Sequence, residues 1–283
     1  MPRGHASNGP LRMSSTLLLV RTQIPPTALQ RDNRFVRITT EQRFADERPN
    51  DLGEDRRMDP QSAESFDRAR RQMHGIFVGE IQALEGAGRT AFDYTTEETP
   101  LQMKLDMARQ CWDEARHVEI SLRLGEHMGT EIGEYSEAVT LFEAACHADP
   151  VFRLAGVNRA LEGLAIDVFT TMRDFAGEMN DPVLYFCEDW MLADEVTHVK
   201  MGSTWLRELT KDDKDRQARA LEFQRTVDGL FNFRGSRGEG RDASIRLARK
   251  FREMAGFQTE EIDQIAAMAE AQRAENRATV GAY

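Results

Sequence analysis

Two short motifs in the sequence place a carboxylate and an imidazole where both can bind one metal ion. Glu114 and His117 are three residues apart, and so are Glu195 and His198. On an α-helix, residues with this spacing project from the same face, about one turn from each other. A single Glu-x-x-His motif is weak evidence, because charged helices often contain such pairs by chance and expose them to water.

Two further glutamates make the pattern specific. Glu80 lies 34 residues before Glu114, and Glu162 lies 33 residues before Glu195. Both lie among apolar and small residues, where an isolated carboxylate is costly to bury. In antiparallel hairpins of helices of about 30 residues, residues with this separation reach the same level. The sequence thus contains two related halves, offset by 81 or 82 residues.

Six side chains are expected to converge in a helical bundle as a metal site: Glu80, Glu114, His117, Glu162, Glu195 and His198. Four carboxylates at this separation repel one another unless cations lie between them. Two divalent ions would neutralise the four carboxylates and leave both histidines neutral. A metal-free helical scaffold is the alternative that this pattern disfavours.

The residues around the two motifs resemble a known signature. The segment Asp113-Glu114-Ala115-Arg116-His117 is similar to the Asp-Glu-x-Arg-His signature of di-iron hydroxylases. The second motif, at 194–198, keeps the aspartate, glutamate and histidine but has Thr197 in place of the arginine. Over about residues 61–210 the chain resembles the ferritin-like superfamily, which includes bacterioferritin, rubrerythrin, ribonucleotide reductase small subunits and di-iron oxygenases.

The resemblance implies roles for the neighbouring charged residues. Asp113 and Asp194 would each accept a hydrogen bond from the free ring nitrogen of a ligand histidine and so fix its tautomer. Arg116 would pair with one of these aspartates or face water. Among the ligands, the resemblance implies one histidine for each iron, two bridging or chelating carboxylates (Glu114 and Glu195) and two terminal ones (Glu80 and Glu162).

Three positions argue against particular branches of the superfamily. Ser121 replaces the radical tyrosine of most ribonucleotide reductase subunits, and Met191 replaces an extra histidine of arylamine N-oxygenases. Ala115 replaces the haem-ligating methionine of bacterioferritin, and the paired cysteines of rubrerythrin are absent. The sequence also extends well beyond the bundle at both ends, which favours an enzyme over a bare storage cage.

The predicted fold is all-α, a ferritin-like four-helix bundle with additional C-terminal helices. We expect an irregular, proline-rich N-terminal arm at 1–60, the di-metal bundle at 61–211 and a helical extension at 212–283. The arm either hangs loose or wraps the domain or a partner subunit. A short strand is predicted near 34–38, and helices are predicted in the extension, one of them over 242–255.

Three predicted helices begin with a capping residue followed by proline, which suits the first helical position. These starts are Thr99-Pro100, Asp149-Pro150 and Asp181-Pro182. Small residues near the lone glutamates, among them Gly156 and Gly163, leave two explanations open. They provide either space for a substrate or close helix packing.

Composition excludes several other classes of protein. The net charge of -11 opposes binding to nucleic acid, and no apolar run is long enough to cross a membrane. Three widely spaced cysteines give no disulfide framework, so a reducing, cytoplasmic location is expected.

The predicted function is that of a non-haem di-iron oxygenase or oxidase that uses O2 to oxidise a small organic substrate. The alternative is a ferroxidase that handles iron itself. Two iron ions are the expected cofactor, although a carboxylate-rich site also binds manganese. The resemblance further implies an electron donor, either a ferredoxin or reductase or a small reductant, and a homodimer.

Overall fold

The structure, a computed structural model, describes residues 37–38, 63–135, 137–138, 142, 145–232, 237–238 and 245–280. Helices dominate these ranges, which confirms the predicted all-α class. Strand structure within them is limited to two parallel pairs: β1 (Arg37–Ile38) with β2 (Glu137–Ala138), and β3 (Arg237–Gly238) with β4 (Ile245–Arg246). The predicted N-terminal arm lies outside the described residues except for β1, so the division of the chain at 60 and 211 stays a prediction.

Two helical hairpins form the centre of the molecule. Helix α1 (Ala63–Asp93) packs on α2 (Leu101–His127). The third long helix has three consecutive segments, which are α3 (Pro150–Arg153), a π-helix (Leu154–Leu161) and α4 (Glu162–Met179). Helix α4 packs on α5 (Pro182–Leu209), and α5 also contacts α2. The hairpins therefore meet along the helices that carry the two Glu-x-x-His motifs.

Two of the predicted helix starts are confirmed. The carboxylates of Asp149 and Asp181 each accept hydrogen bonds from the backbone amides two and three residues ahead. Pro150 and Pro182 occupy the first helical positions, where the missing amide hydrogen costs nothing. These caps set where the third helix and α5 begin.

The predicted cap at Thr99 is wrong. Helix α2 begins at Leu101, and Pro100 takes the capping position without a side-chain hydrogen bond. The hydroxyl of Thr99 instead donates to the carbonyl of Thr95, 3.2 Å away, and so belongs to the preceding turn. A threonine before proline satisfies its hydroxyl locally here, and the helix starts one residue later.

The π-helix was not predicted. Its eight residues have a wider turn than an α-helix, and it ends immediately before Glu162. A Cβ atom on Gly156, within this segment, would lie 2.5 Å from the carbonyl oxygen of Ala145. Close packing therefore explains this glycine, and the same packing holds the widened turn against its neighbour.

The C-terminal extension contains α6 (Lys214–Asn232), α7 (Arg249–Met254) and α8 (Thr259–Val280). The helix predicted over 242–255 is wrong in its first part, because β4 lies there. The backbone amides of Arg246 and Ala248 donate to the side chains of Thr171 and Asp167, at 3.0 and 2.9 Å. The chain is thus bonded to α4 before α7 starts.

The largest core cluster lies between the long helices and the extension. It joins Met73 of α1, Leu124 of α2, Phe169 of α4 and Met191 of α5 to Ile262 of α8. The extension is therefore part of the same core as the central helices. In the described part of the chain, none of the helices has the length and apolarity that a bilayer crossing requires.

Candidate metal centre

The structure brings all six predicted ligands together at the middle of the long helices. Helix α1 supplies Glu80, α2 supplies Glu114 and His117, α4 supplies Glu162, and α5 supplies Glu195 and His198. Each of the six side chains is between 0 and 5% exposed to solvent. Buried carboxylates are rare unless they are paired with cations, so this cluster requires compensating charge.

The six residues form two overlapping groups. One contains Glu80, Glu114, His117 and Glu195, and the other contains Glu114, Glu162, Glu195 and His198. Within each group, one ligand atom from every residue lies within 4.8 Å of the others. Glu114 and Glu195 belong to both groups. This is the arrangement expected for two ions that share two carboxylates, with one further carboxylate and one imidazole for each ion.

The imidazole of His117 points its Nδ1 atom into the carboxylate cluster. This atom lies 3.1 Å from Oε2 of Glu80 and 3.2 Å from an oxygen of Glu114 and of Glu195. The other ring nitrogen, Nε2, lies 3.3 Å from Oδ2 of Asp194. Aspartate accepts the hydrogen of Nε2, which leaves the lone pair of Nδ1 free to bind a cation in the neutral tautomer.

His198 repeats this arrangement from the opposite helix. Its Nδ1 atom lies 3.1 Å from Oε1 of Glu114 and 3.4 Å from Oε1 of Glu195, and its Nε2 atom lies 3.3 Å from Oδ2 of Asp113. The pairing is crosswise, because each aspartate contacts the histidine of the other motif. The two motifs therefore hold each other's imidazoles in place.

A single arginine serves both aspartates. The guanidinium of Arg116 bonds Asp113 on its own helix and lies 3.3 Å from Oδ2 of Asp194 on α5. The sequence left open whether Arg116 pairs with one of these aspartates or faces water. In the structure, its guanidinium contacts both aspartates. Thr197, which replaces the second arginine, donates its hydroxyl to the carbonyl of Ala193 on its own helix.

Charge in the cluster divides unequally among the acids when no cation is present. Burial, reinforced by Glu114 and Glu195, raises the pKa of Glu162, and burial likewise raises the pKa of Glu80 well above its usual range. Burial also opposes ionisation of Glu114 and Glu195, but the two histidines outweigh it and lower the pKa of both.

The pKa values of the two ligand histidines are raised by the surrounding carboxylates. Burial disfavours their charged form, but Asp194 and the glutamates around His117 raise its pKa far above the ordinary value. Glu114 and Glu195 raise the pKa of His198 in the same way. Without metal, these shifts favour imidazolium at His117 and His198, which balances the ionised Glu114 and Glu195, and they favour neutral acids at Glu80 and Glu162.

Sequence reasoning missed a pair of buried amides next to Glu162. The side-chain nitrogen of Gln110 donates to Oε1 of Glu162 at 2.7 Å and to Oε1 of Glu114 at 3.0 Å. Asn158, from the π-helix, donates to Oε1 of Gln110 at 2.7 Å. Gln110 and Asn158 each precede a ligand glutamate by four residues, so the same helical spacing that identified the ligands could have identified them.

A fifth buried glutamate was also missed. Glu188 lies seven residues before Glu195, on the same inward face of α5, and is fully buried. Neither of its carboxylate oxygens has a hydrogen-bond partner among the described residues. Burial raises the pKa of Glu188 well above its usual range and so favours the neutral acid.

The C-terminal extension reaches the helix that carries Glu162. Arg252 of α7 is fully buried and bonds both oxygens of Asp167, at 2.9 and 2.8 Å. It also donates to the carbonyl of Gly163 at 2.6 Å. A Cβ on Gly163 would lie 3.0 Å from this guanidinium, so close packing and not substrate space explains the glycine.

The polar atoms of the cluster fit a pair of cations. In the described part of the chain, both oxygens of Glu195, Oε2 of Glu114 and Nδ1 of His198 have no hydrogen-bond partner although they are buried. Such atoms are costly unless another ligand satisfies them. Six oxygen- and nitrogen-bearing side chains of this kind suit divalent first-row metals such as iron and manganese.

Comparison with known proteins gives a family and no further relative. Residues 23–263 match the model of a family described as "Protein of unknown function (DUF455)", which covers most of the chain. Neither the curated proteins nor the solved structures gave a significant match.

Proposed function

We propose that this chain, which belongs to the DUF455 family, is a ferritin-like di-iron protein that uses O2 to oxidise a small organic substrate. The observation that carries this proposal is the overlap of the two ligand groups at Glu114 and Glu195. Two iron ions that share carboxylates supply, when bound, a pair of electrons for the reduction of O2. Every other part of the activity depends on what the chain's own residues do.

The ligand side chains are positioned before any cation arrives. Asp113 and Asp194 hold the Nε2 hydrogens of the histidines, so both Nδ1 atoms face the carboxylates. The side-chain amide of Gln110 donates to the Oε1 atom of Glu162 and so fixes this carboxylate. Ligands positioned in this way lose little conformational freedom on binding, which strengthens the binding of metal.

Burial also isolates the site from bulk water. The ligands are between 0 and 5% exposed, and apolar side chains such as Phe169 and Met191 lie in the core around them. The ring of His117 meets the ring of Phe169 edge-on at 6.3 Å. Exclusion of water strengthens each electrostatic interaction in the site and protects a substrate oxidation from side reactions.

The charge balance of the site supports two divalent cations. In the metal-free state, the raised pKa values of His117, His198, Glu80 and Glu162 favour their protonated forms, and the two imidazolium groups balance the ionised Glu114 and Glu195. When those four groups lose their protons, four carboxylates and two neutral imidazoles remain. Two divalent ions restore neutrality, so the exchange of protons for metal leaves no net buried charge.

The test is the stoichiometry of iron oxidation. The metal-free protein is loaded anaerobically with Fe(II), O2 is admitted, and ferric product is followed by its ultraviolet absorbance as iron is increased. We expect oxidation to stop at two irons per chain and to be lost in Glu114→Ala, because both ions use this carboxylate. Glu119→Ala is the matched control, since Glu119 lies on the same helix but is exposed and pairs with Arg123.

Each other outcome decides between functions. Oxidation that continues far beyond two irons per chain would favour the ferroxidase alternative, in which iron is the substrate. Tight binding of two Mn(II) ions with weak binding of iron would change the metal assignment. Absence of stoichiometric metal binding would overturn the proposal and leave a helical scaffold.

A further inference from the structure

Two tryptophans lie at the surface directly above the metal centre. Trp112 of α2 is 66% exposed and Trp190 of α5 is 37% exposed. The guanidinium carbon of Arg116 lies 4.9 Å from the centre of the Trp190 ring and 5.9 Å from that of Trp112. Large aromatic side chains at an exposed position usually mark a contact surface, because they are favourable to cover.

This cluster of Trp112, Arg116 and Trp190 is joined to both ligand histidines. Arg116 bonds Asp113 and Asp194, and these aspartates lie 3.3 Å from the Nε2 atoms of His198 and His117, respectively. A continuous series of ring contacts and hydrogen bonds therefore runs from the solvent to the ligands. The ligands themselves are too deeply buried for a reductant to touch them.

Resting on the proposed function, we propose that the Trp112–Arg116–Trp190 cluster binds a planar aromatic electron donor of the reduced-flavin type and passes its electrons to the metal pair. The donor's ring stacks on the indoles, as flat π-systems do. An anionic group on the donor bonds the exposed N–H groups of Arg109, whose side chain is 62% exposed and whose Nε atom pairs with Asp113 at 3.4 Å.

The electron transfer balances without any bond change at the protein. One reduced flavin loses two electrons and two protons and becomes oxidised flavin. Two ferric ions become ferrous, and the protons pass to the solvent. His117 and His198 keep their Nε2 hydrogens on Asp194 and Asp113 throughout, because electron transfer through these contacts breaks no bond.

Binding is tested first, on the metal-free full-length protein. Oxidised flavin mononucleotide is titrated into the wild type and into the double variant Trp112→Leu/Trp190→Leu, with the heat of binding as the readout. We expect binding to the wild type and an affinity at least about tenfold lower in the double variant. Trp205→Phe is the control, because Trp205 lies elsewhere on α5 and donates to Asp106.

Electron transfer is then measured on protein loaded with two ferric ions. Reduced flavin mononucleotide or dithionite is mixed in without oxygen, and the loss of ferric absorbance is timed. We expect reduced flavin to act at least about tenfold more slowly on the double variant, whereas dithionite, which has no ring to stack, acts equally on both. Iron content and thermal unfolding should be unchanged in the double variant.

The possible failures are distinct. Equal flavin affinity in the wild type and the double variant, or no affinity in either, overturns this inference while iron stoichiometry stands. Equal slowing with both reductants, or loss of iron from the double variant, means that the tryptophans only hold Arg116 in place, and this also overturns it. A wild type that binds flavin but no iron would instead overturn the proposed function.

Discussion

In the first half of the repeat, α1 and α2 supply Glu80, Glu114 and His117; in the second half, α4 and α5 supply Glu162, Glu195 and His198. The positions one turn before the motifs differ. The first half has Gln110, which bonds two ligand carboxylates. The second half has Met191, which lies in the apolar core and contacts no ligand carboxylate through a hydrogen bond; its sulfur accepts from the hydroxyl of Ser121. The two halves therefore have the same types of ligand but different side chains next to them.

The position two turns before each motif shows the reverse polarity. Met107 in the first half is a buried core residue, whereas its counterpart Glu188 is a buried acid without a hydrogen-bond partner among the described residues. The first half thus has a polar side chain, Gln110, that bonds ligand carboxylates. The second half has a buried acid, Glu188, without a hydrogen-bond partner among the described residues. The metal ligands are symmetric, but the groups that orient them and tune their charge are not.

The two halves also differ in what stabilises them. The helix that carries Glu162 is tied to the C-terminal extension by the buried pair Arg252–Asp167. In the first half, Arg70 of α1 bonds Glu134 near the surface, at 2.8 Å. The second half should consequently depend more on its fully buried ion pair than the first half depends on this partly exposed one.

The largest expected effect is on stability. Arg252→Ala leaves Asp167 buried without its partner and should lower the free energy of unfolding by about 3–5 kcal/mol. Arg70→Ala, which removes a partly exposed ion pair, should lower it by about 0–1 kcal/mol. Urea unfolding of the metal-free proteins measures both, and equal losses would remove the contrast between the halves.

A second prediction concerns pH. Each ion displaces one histidine proton and one glutamate proton, from His117 and Glu80 in the first half and from His198 and Glu162 in the second. All four pKa values are raised, so protons compete with metal as the pH falls. The affinity for each ion should rise about hundredfold per pH unit.

Anaerobic Co(II) titrations at pH 6 and pH 7, with proton release followed in weak buffer, check this prediction. Equal release with the first and second ion supports symmetric halves. Release that differs between the two ions would show that the surroundings, and not only the ligands, set the protonation of each half.

A third prediction uses the repeat as its own control. Gln110→Leu removes the amide that orients Glu162, and loss of such a partner typically weakens metal binding about 10- to 100-fold. Met191→Leu, at the equivalent position of the other half, should change the affinity little. Stoichiometric titration should show weakening of one ion only, and equal weakening of both ions would mean that Gln110 acts mainly through the shared Glu114.

The smallest expected effect is a gain. Glu188→Met, which introduces the residue type of the equivalent Met107, removes an unsatisfied buried acid and should stabilise the metal-free protein by about 1 kcal/mol at pH 8. The folded protein retains a proton on Glu188 that the unfolded chain loses above a pH of about 4.3, so wild-type stability falls as the pH rises. The gain should therefore be smaller at pH 5.

Thermal unfolding of both proteins across this range is the measurement. The exposed replacement Glu119→Met should show no such dependence, because its carboxyl is hydrated in both states. A pH-independent gain from Glu188→Met would mean that packing and not charge is responsible.

Local patterns predicted the parts of the molecule that depend on local geometry. Helical spacing predicted that Glu114 lies beside His117 and that Glu195 lies beside His198. The caps at Asp149 and Asp181 were predictable because each aspartate bonds backbone amides only two and three residues ahead. The same spacing could have identified Gln110, which was missed because the sequence alone does not show that a glutamine on an amphipathic helix is buried.

Local sequence patterns did not predict contacts between distant segments of the chain. Arg252 and Asp167 are 85 residues apart, and neither has a local feature that predicts the other. Gly156, in the π-helix, likewise packs against Ala145 of a separate segment, and its own sequence neighbours do not predict this contact. Thr99 precedes proline as a capping residue would, yet competition from the Thr95 carbonyl moved the helix start.

The shared arginine has a consequence for how the family varies. Because Arg116 restrains both aspartates, the residue at position 197 does not need to bind either of them. The hydroxyl of Thr197 instead donates to a carbonyl of its own helix. Among relatives, position 197 should tolerate many residue types, whereas position 116 should change only together with both aspartates. One side chain thereby concentrates the evolutionary constraint of two motifs.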